Sequence, residues 1–313
     1  MGKPDTVKMK IKGYIFGTLA SAIWGSVFFV GRVVMENGDV HPFVISLLRC
    51  FFASIFLLAV MGKRSNQVAE ALKKDWKIFL FLSFTGIFIF NILVFASLMY
   101  TTATSSSILM NANPIFIVLI ASCMLKEKIS SSKILGVILG FAGCVMVILG
   151  TGRSDPARMA GLLKGNILAL AGSLCWAVYT VAGKYPTEKY GAILTTFITF
   201  TFGFLFFLVT NTLMGIPVSG TGFPVLLAGA YLGIIPAGVG YTLWYHSLRY
   251  IEAGKLGILQ YVTPVTTALL AAAFLRESFT LFMAAGMAVI FLSIYISDPS
   301  LRTSRRSRNQ LSG

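Results

Sequence analysis

SSSILMNANPIFIVLIASCMLKEKI, residues 105–129, and KLGILQYVTPVTTALLAAAFLRESF, residues 255–279, are the two stretches on which the reading of this chain turns. Set against each other at an offset of 150 they align Ile108 with Ile258, Leu109 with Leu259, Pro114 with Pro264, Leu125 with Leu275 and Glu127 with Glu277. Each is apolar for a length that crosses a bilayer, and each carries a proline near its middle. Such a proline lacks the N–H of a helix interior and frees the carbonyl four residues back, on Met110 and on Gln260, which in lipid needs another partner. Around the prolines lie the groups able to line a wet cavity: Asn111 and Asn113 in the first stretch, Gln260, Tyr261 and Thr263 in the second.

The correspondence extends outward. Residues 82–136 match 232–286 at the same offset, through Leu93/Leu243, Ser97/Ser247, Tyr100/Tyr250 and Gly136/Gly286. Nearer the N-terminus the offset is 152 and pairs Gly13 with Gly165, Ser21 with Ser173, Trp24 with Trp176 and Arg32 with Lys184. Hydrophobic residues make up 56 % of the chain and charged residues 12 %, with long runs that carry almost no charge, so lipid is the expected solvent. Ten apolar segments of spanning length fall at about 13–34, 43–61, 77–99, 102–124, 133–150, 162–182, 190–214, 224–247, 253–275 and 279–297. The fold expected is therefore an all-α integral membrane protein of ten transmembrane helices, arranged as two inverted five-helix repeats. The inversion follows because an odd number of spans starts the second copy on the opposite side.

The domain organisation read from this is a cytoplasmic segment 1–12, a first repeat 13–150, an extracytoplasmic linker 151–161, a second repeat 162–297 and a basic cytoplasmic tail 298–313. Basic residues provide an independent check. With the N-terminus inside, only Arg153, Arg158, Lys164 and Arg276 fall outside and Arg32 and Arg49 within spans, leaving the other Lys and Arg on the cytoplasmic side. Topology and attraction to anionic headgroups account for the formal charge of +15, so no nucleic-acid partner is implied. The basic N-terminus precedes an apolar stretch too long for a signal-peptide core, which is expected to stay as the first helix. The location expected is the cytoplasmic membrane, multi-pass, with both ends inside.

Cys50, Cys123, Cys144 and Cys175 lie far apart in predicted spans without His partners, so neither a metal site nor a disulfide framework is expected. No cofactor is implied. None of the eleven acidic residues falls mid-span, and the intramembrane carboxylate of a proton antiporter is missing. An intramembrane enzyme would need a nucleophile with its base, or metal ligands, at membrane depth, and no such set is present. A receptor would need an output domain or a large binding loop, and the loops are short.

Matched interruptions in two halves point to a binding site at the midplane; the plainer alternative is kinks that only shape packing. Trp24 and Trp176, with Tyr179 and Tyr241, are candidate cavity walls offering stacking or cation–π contacts. Trp244 and Tyr245 stand near a helix end, where an interfacial belt reads as well as a wall. His246 reads as a polar tip, or as a proton relay. Arg49, about six residues into its span, leaves two readings, snorkelling outward or binding a substrate carboxylate. Glu127 and Glu277, beside Lys126 and Arg276, read as helix-end charge pairs or as gate contacts.

Together these residues resemble the EamA-type branch of the drug/metabolite transporter superfamily. The resemblance covers about residues 10–298 and rests on NPIFIVLIASCMLKEKI and TPVTTALLAAAFLRESF, each a proline followed thirteen residues later by a glutamate, and on Trp24 and Trp176. It implies that Pro114, Glu127, Pro264 and Glu277 are the matched motif positions, that the cavity lies between the halves, and that the membrane is prokaryotic. Members of this family include exporters of amino acids and related metabolites; relatives carry sugars, nucleotide sugars or cationic drugs. The four-helix multidrug relatives use a first-helix glutamate, whereas here Glu36 stands only at that helix's outer end. The expected function is export of a small polar metabolite such as an amino acid by alternating access, with export of lipophilic cations as the alternative.

Overall fold

Among the described residues the architecture is helical throughout. The computed structural model describes residues 3–36, 40–62, 66–100, 109–150, 162–218, 222–274 and 280–297. In chain order the helices are α1 (Lys3–Glu36), α2 (Pro42–Met61), α3 (Asn66–Leu82), α4 (Phe90–Tyr100), α5 (Asn113–Met124), α6 (Ser131–Gly150), α7 (Leu162–Ala182), α8 (Lys184–Tyr190), α9 (Ala192–Leu213), α10 (Phe223–Leu232), α11 (Tyr241–Ser247), α12 (Ala253–Leu259), α13 (Val262–Phe274) and α14 (Leu281–Ser297). Two π-helical segments, Ser83–Ile89 and Gly233–Gly240, join α3 to α4 and α10 to α11.

Among the described residues seven continuous helical stretches are long and apolar enough to cross a membrane: Pro42–Met61, Asn66–Val94, Ser131–Leu149, Leu163–Tyr190, Ala192–Leu213, Phe223–Ser247 and Ala253–Phe274. Asn113–Met124 and Leu281–Ser297 are shorter apolar helices. The distribution of polarity is that of a bilayer protein. Leu163, Leu213, Phe223 and Leu281 are more than 70 % exposed, while Ser21, Ser83, Ser173, Thr180, Thr196, Thr199 and Ser247 are wholly buried. In water that arrangement would strand the apolar side chains; in lipid it satisfies both classes.

Several boundaries differ from the sequence expectation. The third helix starts at Asn66, because NQVAEALKKD is an amphipathic lead-in separated from the apolar run by a kink at Asp75. The short helix α8 was not expected; it begins after Gly183 and ends at Gly191, whose φ of +89° stops it. The linker 151–161, the tail 298–313 and Glu277 lie outside the described residues.

Side-by-side packing joins early and late elements. α6 lies along α14, α2 along α9, α4 and α5 along α7, and α1 along α11 and α13. The close fit of α6 on α14 depends on small residues: a Cβ on Gly143 would stand 2.7 Å from the carbonyl oxygen of Gly286, and one on Gly286 2.8 Å from that of Gly143.

Candidate functional site

The two sequence-flagged stretches are each broken, as the prolines require, but the break precedes the proline. Residues 109–110 are helical, 111–112 turn, and α5 resumes with Pro114 in its first turn. In the other half α12 ends at Leu259, residues 260–261 turn, and α13 begins at Val262 with Pro264 in its first turn. A proline there removes an N–H that a helix start leaves unpaired anyway, so each proline opens a half-helix instead of kinking a whole one. The carbonyls near the breaks find short-range partners. The Asn113 side-chain amide donates to the Met110 carbonyl at 3.0 Å, and the Thr263 N–H donates to the Gln260 carbonyl at 2.9 Å.

Between the breaks lies a cluster of aromatic rings. Trp24 and Trp176 meet edge to face with centroids 5.1 Å apart. Tyr241 stands 5.2 Å from Trp24 and 5.4 Å from Trp176, and Trp244 5.0 Å from Trp24. Phe90, Phe200, Tyr179 and Tyr245 complete the group. Edge-to-face pairs at such distances each add about 1 kcal/mol beyond the area they bury. Trp244 and Tyr245 are fully buried, which overturns the belt reading for both. A belt ring keeps its polar tip in the headgroups, whereas the Trp244 N–H donates to the Thr180 hydroxyl at 3.2 Å and the Tyr245 hydroxyl to the Tyr179 carbonyl.

Polar groups penetrate this cluster at defined points. The Trp176 N–H donates to the Gln260 side-chain oxygen at 2.8 Å, linking α7 to the second break. The Trp24 N–H donates to the Pro236 carbonyl in the second π segment at 3.1 Å. That approach needs a glycine beside it: a Cβ on Gly240 would stand 2.9 Å from the Trp24 nitrogen. Arg49 turns inward instead of snorkelling. Its Nη2 donates to the Tyr241 hydroxyl at 3.3 Å, and its guanidinium carbon is 5.6 Å from that ring's centroid. Arg49 forms no ion pair among the described residues, and its Nε is buried without a hydrogen-bond partner.

Further buried polar atoms near the cluster lack partners, among them the Asn113 side-chain oxygen and the Ser173 and Tyr179 hydroxyls. Ser173 precedes Trp176 by three residues on one face of α7. Its neighbour Gly172 approaches the Met110 side chain at the first break. Orphaned polar atoms are rare in folded interiors because each costs about 1–3 kcal/mol. Ser173 was not among the residues singled out from the sequence, although its alignment with Ser21 was a usable signal.

Not every sequence candidate joins this group. Thr263 is buried and its hydroxyl donates to the Ser21 carbonyl at 3.0 Å, which fastens α13 to α1. Tyr261 points away, packed with Val137, Cys144 and Ile290, and its hydroxyl donates to the Val137 carbonyl. Asn111 is half-buried at the turn of the first break. His246 lies edge-on to Phe16 and near Tyr250, bordering a small surface cleft with Arg249.

Glu127 belongs to a separate cluster at one end of the molecule. Its carboxylate accepts from the Ala253 and Gly254 N–H groups at 2.8 and 3.1 Å, so a residue after α5 caps α12. Lys133, almost fully buried, stands 3.7 Å from Glu127 and 2.8 Å from Glu252, and Lys184 lies 3.7 Å from Glu127. At the far end of α8, Lys189 meets Asp75 at 2.6 Å, and Tyr190 also donates to Asp75. The short helix α8 thus contributes a lysine to each ion cluster.

Residues 11–149 and 163–297 both match the profile described as the EamA-like transporter family. The chain belongs to the EamA-like transporter family. It is 30 % identical over 296 residues to the "Uncharacterized transporter YetK" of Bacillus subtilis (strain 168), covering 93 % of this chain and 88 % of that protein. An "Uncharacterized transporter" of Archaeoglobus fulgidus is 28 % identical over 292 residues, covering 92 % and 98 % of the two chains. A protein solved by crystallography shares the fold, with a TM-score of 0.77 at 21 % identity over 93 % of this chain and 98 % of that one. Family and helices agree on a multi-pass membrane protein of a transporter family, and the family points away from an enzyme.

Proposed function

We propose that this EamA-like protein exports a small polar metabolite bearing a carboxylate, such as an amino acid, by alternating access between two inverted five-helix halves. Ten spans follow when α1, the broken segment ending in α5, and α14 are counted with the seven long stretches. The packing supports the inversion, because its pairs persist when each span is exchanged for the one five places along. The partnership of α4 with α7 becomes that of α11 with α1, and α5 with α7 becomes α13 with α1. Self-exchanging pairs, α2 with α9 and α6 with α14, lie on the axis this implies.

The observation that carries the substrate reading is a set of buried polar atoms without partners, on Arg49 beside Tyr241 and on Asn113 and Ser173 near the first break. Arg49 brings a guanidinium with a buried free N–H, and Asn113 and Ser173 bring an unpaired acceptor and hydroxyl. A carboxylate supplies what the guanidinium lacks, and an ammonium or amide what the Asn113 oxygen lacks. The Tyr241 ring stands beside Arg49, with the Trp176 ring 5.4 Å from it. Glu127 with Lys133 and Lys184 then acts as a gate closed at the lysine-rich end, which the distribution of basic residues assigns to the cytoplasm.

Uptake of radiolabelled amino acids into proteoliposomes, with and without unlabelled amino acid inside, tests the reading. Flux stimulated by internal substrate is expected, lost in Asn113→Ala and in Arg49→Ala. Flux of aromatic cations that survives Arg49→Ala, with no amino-acid movement, would replace this reading with lipophilic-cation export.

A further inference from the structure

A groove opens on the lipid-facing side where α3 and the first π segment run beside α9. It encloses about 410 Å³ and is lined by Trp76, Lys77, Leu80, Phe81, Phe84 and Phe206. Trp76, Phe81 and Phe84 are almost half exposed, so the rings form walls without closing over. The far wall is stiff: Phe206 meets Phe84 at 5.7 Å and Phe88 at 5.4 Å between centroids.

Charge is confined to one end. Lys77 stands where the polar lead-in NQVAEALKKD gives way to the run IFLFLSFTGIFIF, and its ammonium lies 5.9 Å from the Trp76 ring. Of the neighbouring cations, Lys74 pairs with Glu70 at 2.7 Å and Lys189 with Asp75 at 2.6 Å, while Lys73, four residues before Lys77, is exposed and does not line the groove. Lys77 is exposed and, among the described residues, pairs with no carboxylate. From Trp76 to Phe84 the helix climbs about 12 Å, the reach of roughly ten methylenes of an acyl chain.

We propose that this groove is a binding site for one phospholipid with an anionic headgroup, its acyl chain against Leu80, Phe81, Phe84 and Phe206 and its phosphate on Lys77. An apolar channel with one unpaired cation at its mouth matches that amphiphile in shape and in charge. A zwitterionic lipid would fill the same channel but bring a competing positive charge to the lysine. A peptide would need donors and acceptors for its backbone groups, and the lining side chains offer only the Lys77 ammonium and the Trp76 indole N–H, with no acceptor.

Native mass spectrometry of the full-length protein, equilibrated in micelles with equal phosphatidylglycerol and phosphatidylcholine, tests the site. Retained phosphatidylglycerol is expected to exceed phosphatidylcholine about fivefold, the equivalent of ~1 kcal/mol from one lysine near the headgroup. Lys77→Gln should bring the two adducts to near parity, and Leu80→Trp, which fills the channel, should reduce both. Equal retention by the parent protein overturns the proposal, as does a preference that survives Lys77→Gln. A photoreactive acyl chain should label residues 76–84 and Phe206; labelling spread evenly over the apolar surface also overturns it. None of these readouts involves transport, so failure here is distinct from failure of the substrate reading.

Discussion

The two broken segments begin from the same pattern and end in different conditions. In the second, polar groups are tied to other helices: Thr263 to the Ser21 carbonyl, Thr267 to the Gly25 carbonyl, Gln260 to Trp176, and the start of α12 to Glu127. In the first, the Asn113 amide nitrogen reaches only the local Met110 carbonyl, while its oxygen and the Ser173 hydroxyl are left without partners. Thr263 and Asn113 occupy equivalent places in the repeats, as do Ser21 and Ser173, so the difference comes from side-chain identity and not from backbone plan. One half is fastened and the other holds polar capacity in reserve. If the proposed site is right, the two matched segments divide mechanical and binding duties between them.

Removing the fastening should have the largest effect. Glu127→Gln leaves Lys133 buried beside a weakened partner and loosens the cap on α12, and a loss of about 3 kcal/mol is expected. Denaturant unfolding in mixed micelles measures it; an unchanged midpoint would mean that the second segment is not held by this carboxylate. Thr263→Val keeps the shape and deletes one bond to α1, for which about 1 kcal/mol is expected. The same titration reads it, and equal losses from Thr263→Val and Ser173→Ala would erase the contrast between the halves.

Ser173→Ala should do least to the fold. Its hydroxyl has no partner to lose, so stability is expected to stay within about 0.5 kcal/mol or to rise slightly. Substrate affinity, measured as the concentration dependence of proteoliposome uptake, should nevertheless fall several-fold. Unaltered affinity would remove Ser173 from the binding group and leave Asn113 and Arg49 to carry it.

Much of this plan was legible in the chain. Pro114 and Pro264 marked the breaks because proline has no N–H to give, and Trp24 and Trp176, aligned in the repeats, turned out to touch. Other features depend on facts no single stretch encodes. Tyr261 and Thr263 are as polar as Gln260, but helix rotation after the second break aims Tyr261 at Val137 and Thr263 at Ser21, away from the rings. Trp244 and Tyr245 looked interfacial by their place along the chain; they are buried because α1 and α7 close around them. Glu127 gave no sign of its distant partners, since backbone N–H groups are the same in every sequence. The π segments were invisible to hydrophobic periodicity, although Pro236 lies inside one of them.

Those π segments, Ser83–Ile89 and Gly233–Gly240, occupy equivalent places in the two repeats. A wide turn of this kind stores one residue more than the surrounding α-helix needs. Each residue of an α-helix advances the azimuth by about 100°. Drawing the surplus residue out of Gly233–Gly240 would therefore swing Tyr241, Trp244 and Tyr245 together by about a quarter-turn while α10 stayed in place. Arg49 holds Tyr241 by its hydroxyl, so such a swing would release the guanidinium in the same movement. Duplicated π segments would give each half such a swivel, placed between α3 and α4 in one and between α10 and α11 in the other.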